Sequence, residues 1–257
     1  MSKWLVRQLD DRLNPVGVLS NVRSIKIDRC ATDSVPLLES CSIEFDIDKG
    51  FTAGWYRVER IGGTRSLRGC FRLELDSTSV DYGVITATAK GYSVLKPAAE
   101  VYLPNGTYVS AGTDGASYVA QLLRVCPCET SIAAGNATTQ SSIVFGDNTS
   151  YLEAAWEVLD ALGWCLRISG DGAVSIIPRP TTAQKTIAAN DSGTIPGLSV
   201  GDKISYTREY AENIRPFDLV TVEMPRYGVD GTYSVLSQSE SSDVSDTVSE
   251  TLGELER

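Results

Sequence analysis

The chain has 257 residues, 42% of them hydrophobic and 22% charged, and its 33 acidic against 23 basic side chains leave a formal charge of −10. Phosphate backbones are held by lysine and arginine, so this balance disfavours specific nucleic-acid binding, and no apolar run approaches the roughly 20 residues of a membrane helix. The chain contains no histidine, which excludes Ser–His and Cys–His catalysis and the usual catalytic zinc sites.

Residues 1–95 read as a run of strands. Trp4–Leu9 alternates in polarity and reaches charge early, unlike a signal peptide, so folding in a cytoplasm is expected. Asn14-Pro15-Val16-Gly17 signals a turn. Arg23–Arg29 sets Ile25 and Ile27 against Lys26 and Asp28, and Ser42–Asp48 sets Ile43, Phe45 and Ile47 against Glu44, Asp46 and Asp48. Trp55–Ile61, Gly69–Asp76 and Val84–Tyr92 complete six strands with short turns, the pattern of a small antiparallel barrel or sandwich.

Residues 96–180 change character. Lys96-Pro97 ends the strand run. Thr113 or Asp114 can cap a helix whose stripe is Val119, Leu122, Leu123 and Cys126, with Pro127 as its stop. Residues 129–142 have loop composition, and Ile143–Phe145 is a short strand. Ser150 and Glu153 form a capping box, and Leu152, Ala155, Trp156, Leu159 and Leu162 then follow at helical spacing. Gly163 sits at the C-cap position. The period next changes to two: Trp164, Leu166 and Ile168 lead to the turn Gly170-Asp171-Gly172, and Ala173–Ile177 returns to Pro178. Two helices on a small sheet make an α+β module.

Residues 179–203 have the composition of a connector. Strands resume at Ile204–Glu209, Leu219–Glu223 and Tyr233–Ser239. The last segment, Val244–Leu252, fits a helix face or an edge strand and is assigned as strand. The class is therefore α+β, mainly β, with two small antiparallel β-barrel-like domains (1–95 and 181–257, the latter including the connector) flanking an α+β insert (96–180).

Little in the chain signals chemistry. Six scattered cysteines form no Cys-x-x-Cys pair, and they read as small buried thiols; Cys30 and Cys41 flank one loop and are the pair that oxidation would join. No cofactor or metal is expected, and no phosphate-binding glycine loop is present. Gly112-Thr113-Asp114-Gly115 precedes a helix and reads as an N-cap loop or an anion nest. Glu44, Asp46 and Asp48 share a strand face, which suits a solvated face, a calcium site or a glycosidase carboxylate. Trp55, Tyr56, Tyr206 and Tyr210 suit a core, a subunit contact or a sugar platform.

The later half carries a resemblance. The helix with Ala155, Trp156 and Leu159 runs into Leu162-Gly163-Trp164, then Leu166-Arg167-Ile168 and Asp171-Gly172-Ala173-Val174-Ser175-Ile176. Asn213-Ile214-Arg215-Pro216-Phe217-Asp218-Leu219-Val220-Thr221-Val222 follows, then Pro225-Arg226-Tyr227-Gly228-Val229-Asp230-Gly231-Thr232-Tyr233-Ser234-Val235. This resembles the hub proteins of bacteriophage tail tips and baseplates, with Phe217 standing where glycine is usual. The resemblance implies a non-enzymatic structural protein of the virion tail, assembled in the bacterial host cytoplasm. It implies two similar β domains per chain and a homotrimeric ring of pseudo-sixfold symmetry. The ring would join a tail tube or distal tail protein to a spike or tail-tip protein and let DNA pass. Glu44, Asp46 and Asp48 are then expected to face the lumen. Tyr206, Pro225, Arg226 and Tyr227 are candidates for subunit contact, since aromatic residues and arginine are enriched at interfaces. The competing reading is a carbohydrate-binding or adhesion module.

Overall fold

The computed structural model describes residues 3–31, 37–47, 51–62, 64–81, 83–188, 195–209, 214–242 and 247–253. The class is the expected one, mainly β with a helical insert. The first seven strands are β1 (Lys3–Leu9), β2 (Pro15–Leu19), β3 (Val22–Cys30), β4 (Glu39–Asp46), β5 (Gly54–Gly62), β6 (Thr64–Asp81) and β7 (Val84–Ser93). The extra strand, β2, lies where the sequence signals a turn. The chain instead reverses at Asp10–Asn14, where the Asp10 carboxylate accepts from the Arg12 and Asn14 amides. Pro15 is then free to open an edge strand, a position that needs no amide donor.

The insert begins sooner than its composition suggests. Helix α1 (Lys96–Glu100) uses Pro97 in its first turn, where the missing amide costs nothing. Next come β8 (Tyr108–Val109), α2 (Gly115–Leu122), β9 (Thr130–Ile132), β10 (Ile143–Val144), α3 (Tyr151–Leu162), β11 (Trp164–Ile168) and β12 (Val174–Pro178). Asp114, rather than Thr113, caps α2 by accepting from the Ser117 amide. The α3 capping box is complete, and Gly163 takes the left-handed conformation at φ 68°. In α3 Ala154 and Val158 are buried beside Leu152, Ala155 and Leu159, while Trp156 is only partly so. β9 occupies part of the expected loop because the β11–β12 hairpin offers it a parallel edge.

The expected connector also holds strands. β13 (Ala183–Ala188) and β14 (Ser199–Val200) precede β15 (Ile204–Glu209), β16 (Leu219–Met224), β17 (Val229–Ser241) and β18 (Thr247–Gly253). The final segment is therefore strand.

Neither end closes into a barrel. The strands of both ends join in one thirteen-stranded sheet. The join is made by β17, which outlasts β16: Val229–Ser234 pairs with β16, whereas Ser237–Ser241 pairs with Cys30–Lys26 of β3. The two ends also repeat one strand order, β3-β4-β7-β6-β5-β1 in the first and β14-β15-β18-β17-β16-β13 in the last. Among the described residues, three buried clusters form the core. One lies within the first sheet around Ile43, Phe45, Phe71 and Leu73. One surrounds α2, α3 and the β11–β12 hairpin and reaches Trp55 and Cys70 of the first sheet. One lies within the last sheet around Tyr206, Val220, Val222 and Leu252.

Candidate functional site

The sheet has two unlike faces. Its inner face supplies the clusters above, and its outer face is rich in hydroxyls. Ser205 of β15, Thr251 of β18 and Ser237 of β17 lie in one cross-strand row. Ser24 of β3, Glu44 of β4, Thr88 of β7 and Ser77 of β6 lie in another. Thr207, Ser249 and Ser239 continue to Asp28 and Ser40. Each alternates with a buried neighbour such as Ile25, Phe45, Ala87, Gln238 or Glu250. Neutral hydroxyls hydrogen-bond water and hold no fixed charge against a phosphate.

Glu44 and Asp46 sit on this hydroxyl face, both half-buried. Ser24 donates to Glu44 at 3.3 Å, and Asp46 pairs with Arg23 at 2.7 Å. Lys26 and Lys90 share the face, paired with Asp28 and Asp76 at 2.9 Å each. The face is thus hydroxyl-lined with balanced charges, and the two carboxylates are not an isolated acidic row. Asp48 lies outside the described residues.

The inner face carries a charged seam that composition does not reveal. Arg29 of β3 pairs with Glu39 of β4 and with Glu240 of β17, each at 2.8 Å, and Glu240 also pairs with Arg68 of β6 at 2.8 Å. All four side chains are at most 3% exposed. Burial pushes the Glu39 carboxyl up, against the pull of the Arg29 and Arg215 guanidiniums. Nearby, Arg167 of β11 grips Asp218, the closer contact at 2.9 Å, and Asp218 accepts from the Arg215 amide at 2.7 Å. A cavity of about 10 Å³, the size of one water, lies among Arg29, Glu39, Arg167 and Arg215. The seam therefore ties the first sheet, the insert and the last sheet together. The sequence shows these residues only as charges at inward-facing strand positions, a signal that is readable once the register is known.

Tyr206 is 1% exposed and donates to Glu250, which also receives Arg208. It is a core residue of the last sheet, not a contact at the surface. Pro225 and Tyr227 are exposed in a 3-10 turn between β16 and β17, with Tyr227 53% exposed; Arg226 shares that turn. Trp55 and Tyr56 are buried, so they form no sugar platform, and Tyr210 lies outside the described residues. Phe217, at the position where the resemblance has glycine, holds φ 75°. Its ring lies 5.7 Å from that of Trp156 on α3, which anchors a conformation that bulky residues rarely adopt.

Among the described residues no three His, Cys, Asp or Glu side chains gather to hold a metal. The six cysteines are free thiols, and burial pushes Cys70 and Cys165 up to about 12, far from the thiolate that nucleophilic chemistry needs. Asp114 serves as a cap, and the Gly112, Thr113 and Gly115 amides of the loop donate to the Thr139, Ser110 and Ala137 carbonyls rather than converging on an anion. An open cleft of about 480 Å³ is lined by Asp11, Trp55, Arg72 and Cys126, with no acid–base pair in it.

No family model matches the chain, and no curated protein does. Solved structures do match in fold. The 43 kDa tail protein of prophage MuSo2 from Shewanella oneidensis aligns with a TM-score of 0.69 at 12% identity, over 99% of this chain and 97% of its own. The tail protein from Neisseria meningitidis MC58 aligns at 0.67 and 10% identity, over 98% and 96%. A component of the type VI secretion system of E. coli, itself described as structurally similar to T4 bacteriophage tail proteins gp27 and gp5, aligns at 0.60 and 10% identity, over 99% and 77%. The chain has the fold of these phage-tail-like proteins.

Proposed function

We propose that the chain is the structural hub of a phage-type tail. Three copies close into a ring of pseudo-sixfold symmetry, which joins a tail tube or distal tail protein to a spike or tail-tip protein and lets DNA pass. The observation that carries this reading is the continuous sheet built from one strand order used twice, in a fold that aligns end to end with tail proteins. A chain with two like units needs only three copies to present six. In this reading residues 1–95 and 181–257 supply the two ring units, residues 96–180 form the module between them, and the protein is non-enzymatic and resides in the virion tail after assembly in the host cytoplasm.

The hydroxyl face, with Glu44 and Asp46, is the proposed lumen wall, and Asp48, outside the described residues, is proposed to belong to it; neutral hydroxyls and cations paired with carboxylates hold phosphate weakly. The Pro225-Arg226-Tyr227 turn is a proposed contact with a neighbouring tail protein. The test is absolute mass by light scattering over a concentration series, followed by imaging. A trimer or paired trimers with a central hole supports the hub. A particle without a hole refutes it. Replacing Glu44, Asp46 and Asp48 by lysine is expected to retard DNA ejection; unchanged ejection removes the lumen assignment.

One observation favours a second reading, an adhesion or carbohydrate-binding module. Tyr102 and Tyr108 are 58% and 61% exposed beside the small β8–β10 ladder, as stacking platforms for sugars are. A glycan that raises the melting temperature, and ceases to do so in Tyr108→Ala, supports it.

A further inference from the structure

The Cys126-Pro127-Cys128 stretch is left unused by the hub reading. The chain bends at all three residues, between the 3-10 turn Leu123–Val125 that follows α2 and the strand β9. Backbone on both sides is pinned: the Cys126 amide donates to the Leu123 carbonyl at 3.0 Å, and the Val174 amide donates to the Glu129 carbonyl at 2.8 Å. The bend brings the two side chains together, and the Cys126 thiol donates a hydrogen bond to the Cys128 sulfur. Cys126 is only 7% exposed, yet with Pro127 it lines the open cleft of about 480 Å³ that Trp55 and Arg72 of the first sheet also line. Cys128 is partly exposed. One thiol is thus within reach of solvent, and a second lies against it on the wall of an opening.

The other thiols are placed differently. Cys41, Cys70 and Cys165 are at most 5% exposed. Cys30 is partly exposed and flanks a loop with Cys41, but Cys41 stands opposite Ile27 in the β3–β4 ladder. Three residues of strand, about 10 Å, therefore separate Cys30 from that position, beyond the roughly 7 Å between Cα atoms that a disulfide spans. The expected Cys30–Cys41 pair is out of register. Cys128 is also the thiol whose charged form has partners. The Cys126 S–H, then the Thr130 hydroxyl and its own amide, hold it below its ordinary value against the pull of burial. The same hydrogen bond, with burial, holds Cys126 well above its own. The thiolate is the form that attacks.

We propose that Cys126 and Cys128 form a thiol–disulfide exchange site whose substrate is a small disulfide of the glutathione class. This goes beyond the hub reading and stands without it. The Cys128 thiolate attacks one sulfur of the small disulfide. That S–S bond breaks, and its other half leaves as a thiolate that takes up a proton. Cys126 then gives up its proton and attacks the Cys128 sulfur. The mixed disulfide breaks, the Cys126–Cys128 bond forms, and the second half leaves as a thiol. The electron pair and the protons that the chain loses are those that the small disulfide gains. Closure over a single residue makes a small, strained ring, and strained disulfides are readily reduced. The bond is therefore present where small disulfides prevail and absent where small thiols do. When present it ties the end of the α2 segment to β9 and fixes the Cys126-Pro127 wall of the cleft.

The test exposes the folded full-length chain to oxidised glutathione, alkylates the remaining thiols after unfolding, and maps all six cysteines by mass spectrometry. The bridge is expected to join Cys126 to Cys128, to reopen in reduced glutathione, and to leave Cys41, Cys70 and Cys165 as thiols. Cys126→Ser is expected to hold glutathione on Cys128 as a lasting mixed disulfide, because nothing then resolves it. Cys128→Ser is expected to take up glutathione at least about tenfold more slowly at Cys126, the buried thiol held protonated. Circular dichroism checks that both variants fold; where one does not, the map of the intact chain decides alone. A folded chain whose Cys126 and Cys128 both stay thiols overturns the proposal. So does a bridge from Cys128 to Cys70, or a folded Cys126→Ser chain that carries glutathione on Cys30 and none on Cys128.

Discussion

Replacing Glu240 by alanine tests whether the charged seam holds the two ends of the sheet together. Glu240 lies on β17, the strand that joins the last sheet to the first. Its carboxylate meets Arg29 and Arg68 at 2.8 Å each, and these guanidiniums are 0% and 1% exposed. Without Glu240, Arg29 keeps Glu39, and Arg68 keeps the Trp4 ring, 5.6 Å from its guanidinium. Two buried cations are then left with one anion. Removing one partner of a buried pair costs about 3–5 kcal/mol, a large part of the roughly 5–15 kcal/mol by which a protein is stable. At about 2–4 °C per kcal/mol for a chain of this size, the melting temperature should fall by about 6–20 °C. Thermal and urea unfolding would read this. Asp76→Ala is the control, since its pair with Lys90 is solvent-exposed and worth about 1 kcal/mol or less. Arg68→Met combined with Glu240→Leu restores charge balance around Arg29 and Glu39 and should recover most of the loss. If Glu240→Ala costs no more than Asp76→Ala, the seam is not a structural tie.

Three further outcomes follow from particular side chains. Tyr206→Phe removes the hydroxyl that donates to Glu250 and should cost about 1.5–3 kcal/mol in urea unfolding, with the oligomeric mass unchanged; a change in mass would return Tyr206 to the interface. Asp114→Ala should cost about 1 kcal/mol at neutral pH, as loss of an N-cap does. The side-chain and backbone hydrogen bonds from Ser117 lower the Asp114 pKa below its ordinary 3.8, so this stability is present above pH 3.8 and lost as pH falls through the folded value. The melting difference between the two proteins should therefore vanish in strong acid, and a difference that persists there refutes the cap. Phe217→Gly relieves a left-handed φ worth about 1–2 kcal/mol but gives up a buried ring worth about 3–5 kcal/mol, so a net loss of about 1–4 kcal/mol is expected; a stabilised variant would show that strain outweighs the ring's packing on Trp156.

What the sequence shows and what it hides divide along range of interaction. The α3–β11–β12 unit is legible residue by residue because its signals are local: the Ser150–Glu153 box, Gly163 at φ 68° and the Gly172 turn act within a few positions. The mistakes are nonlocal. Pro15–Gly17 has turn composition, yet it becomes strand because β1 offers it an edge. Ala183–Ala188 reads as connector, yet it pairs in parallel with Leu219–Glu223, well downstream. Closed barrels are the natural guess for short alternating strands, and one feature defeats that guess. β6 and β17 are each longer than the hairpin partner beside them, and strand length is a property of pairing that composition does not state. Register also decides burial. Tyr206 has the composition of a contact residue, but its register with Glu250 turns it inward. Leu75 follows Phe71 and Leu73 in an alternating pattern that promises burial, yet it is bare. An alternating strand fixes which side chains share a face. Whether that face is covered depends on which strand arrives beside it, and for β17 that strand is supplied from within the chain, 207 or more positions upstream of its partner residues.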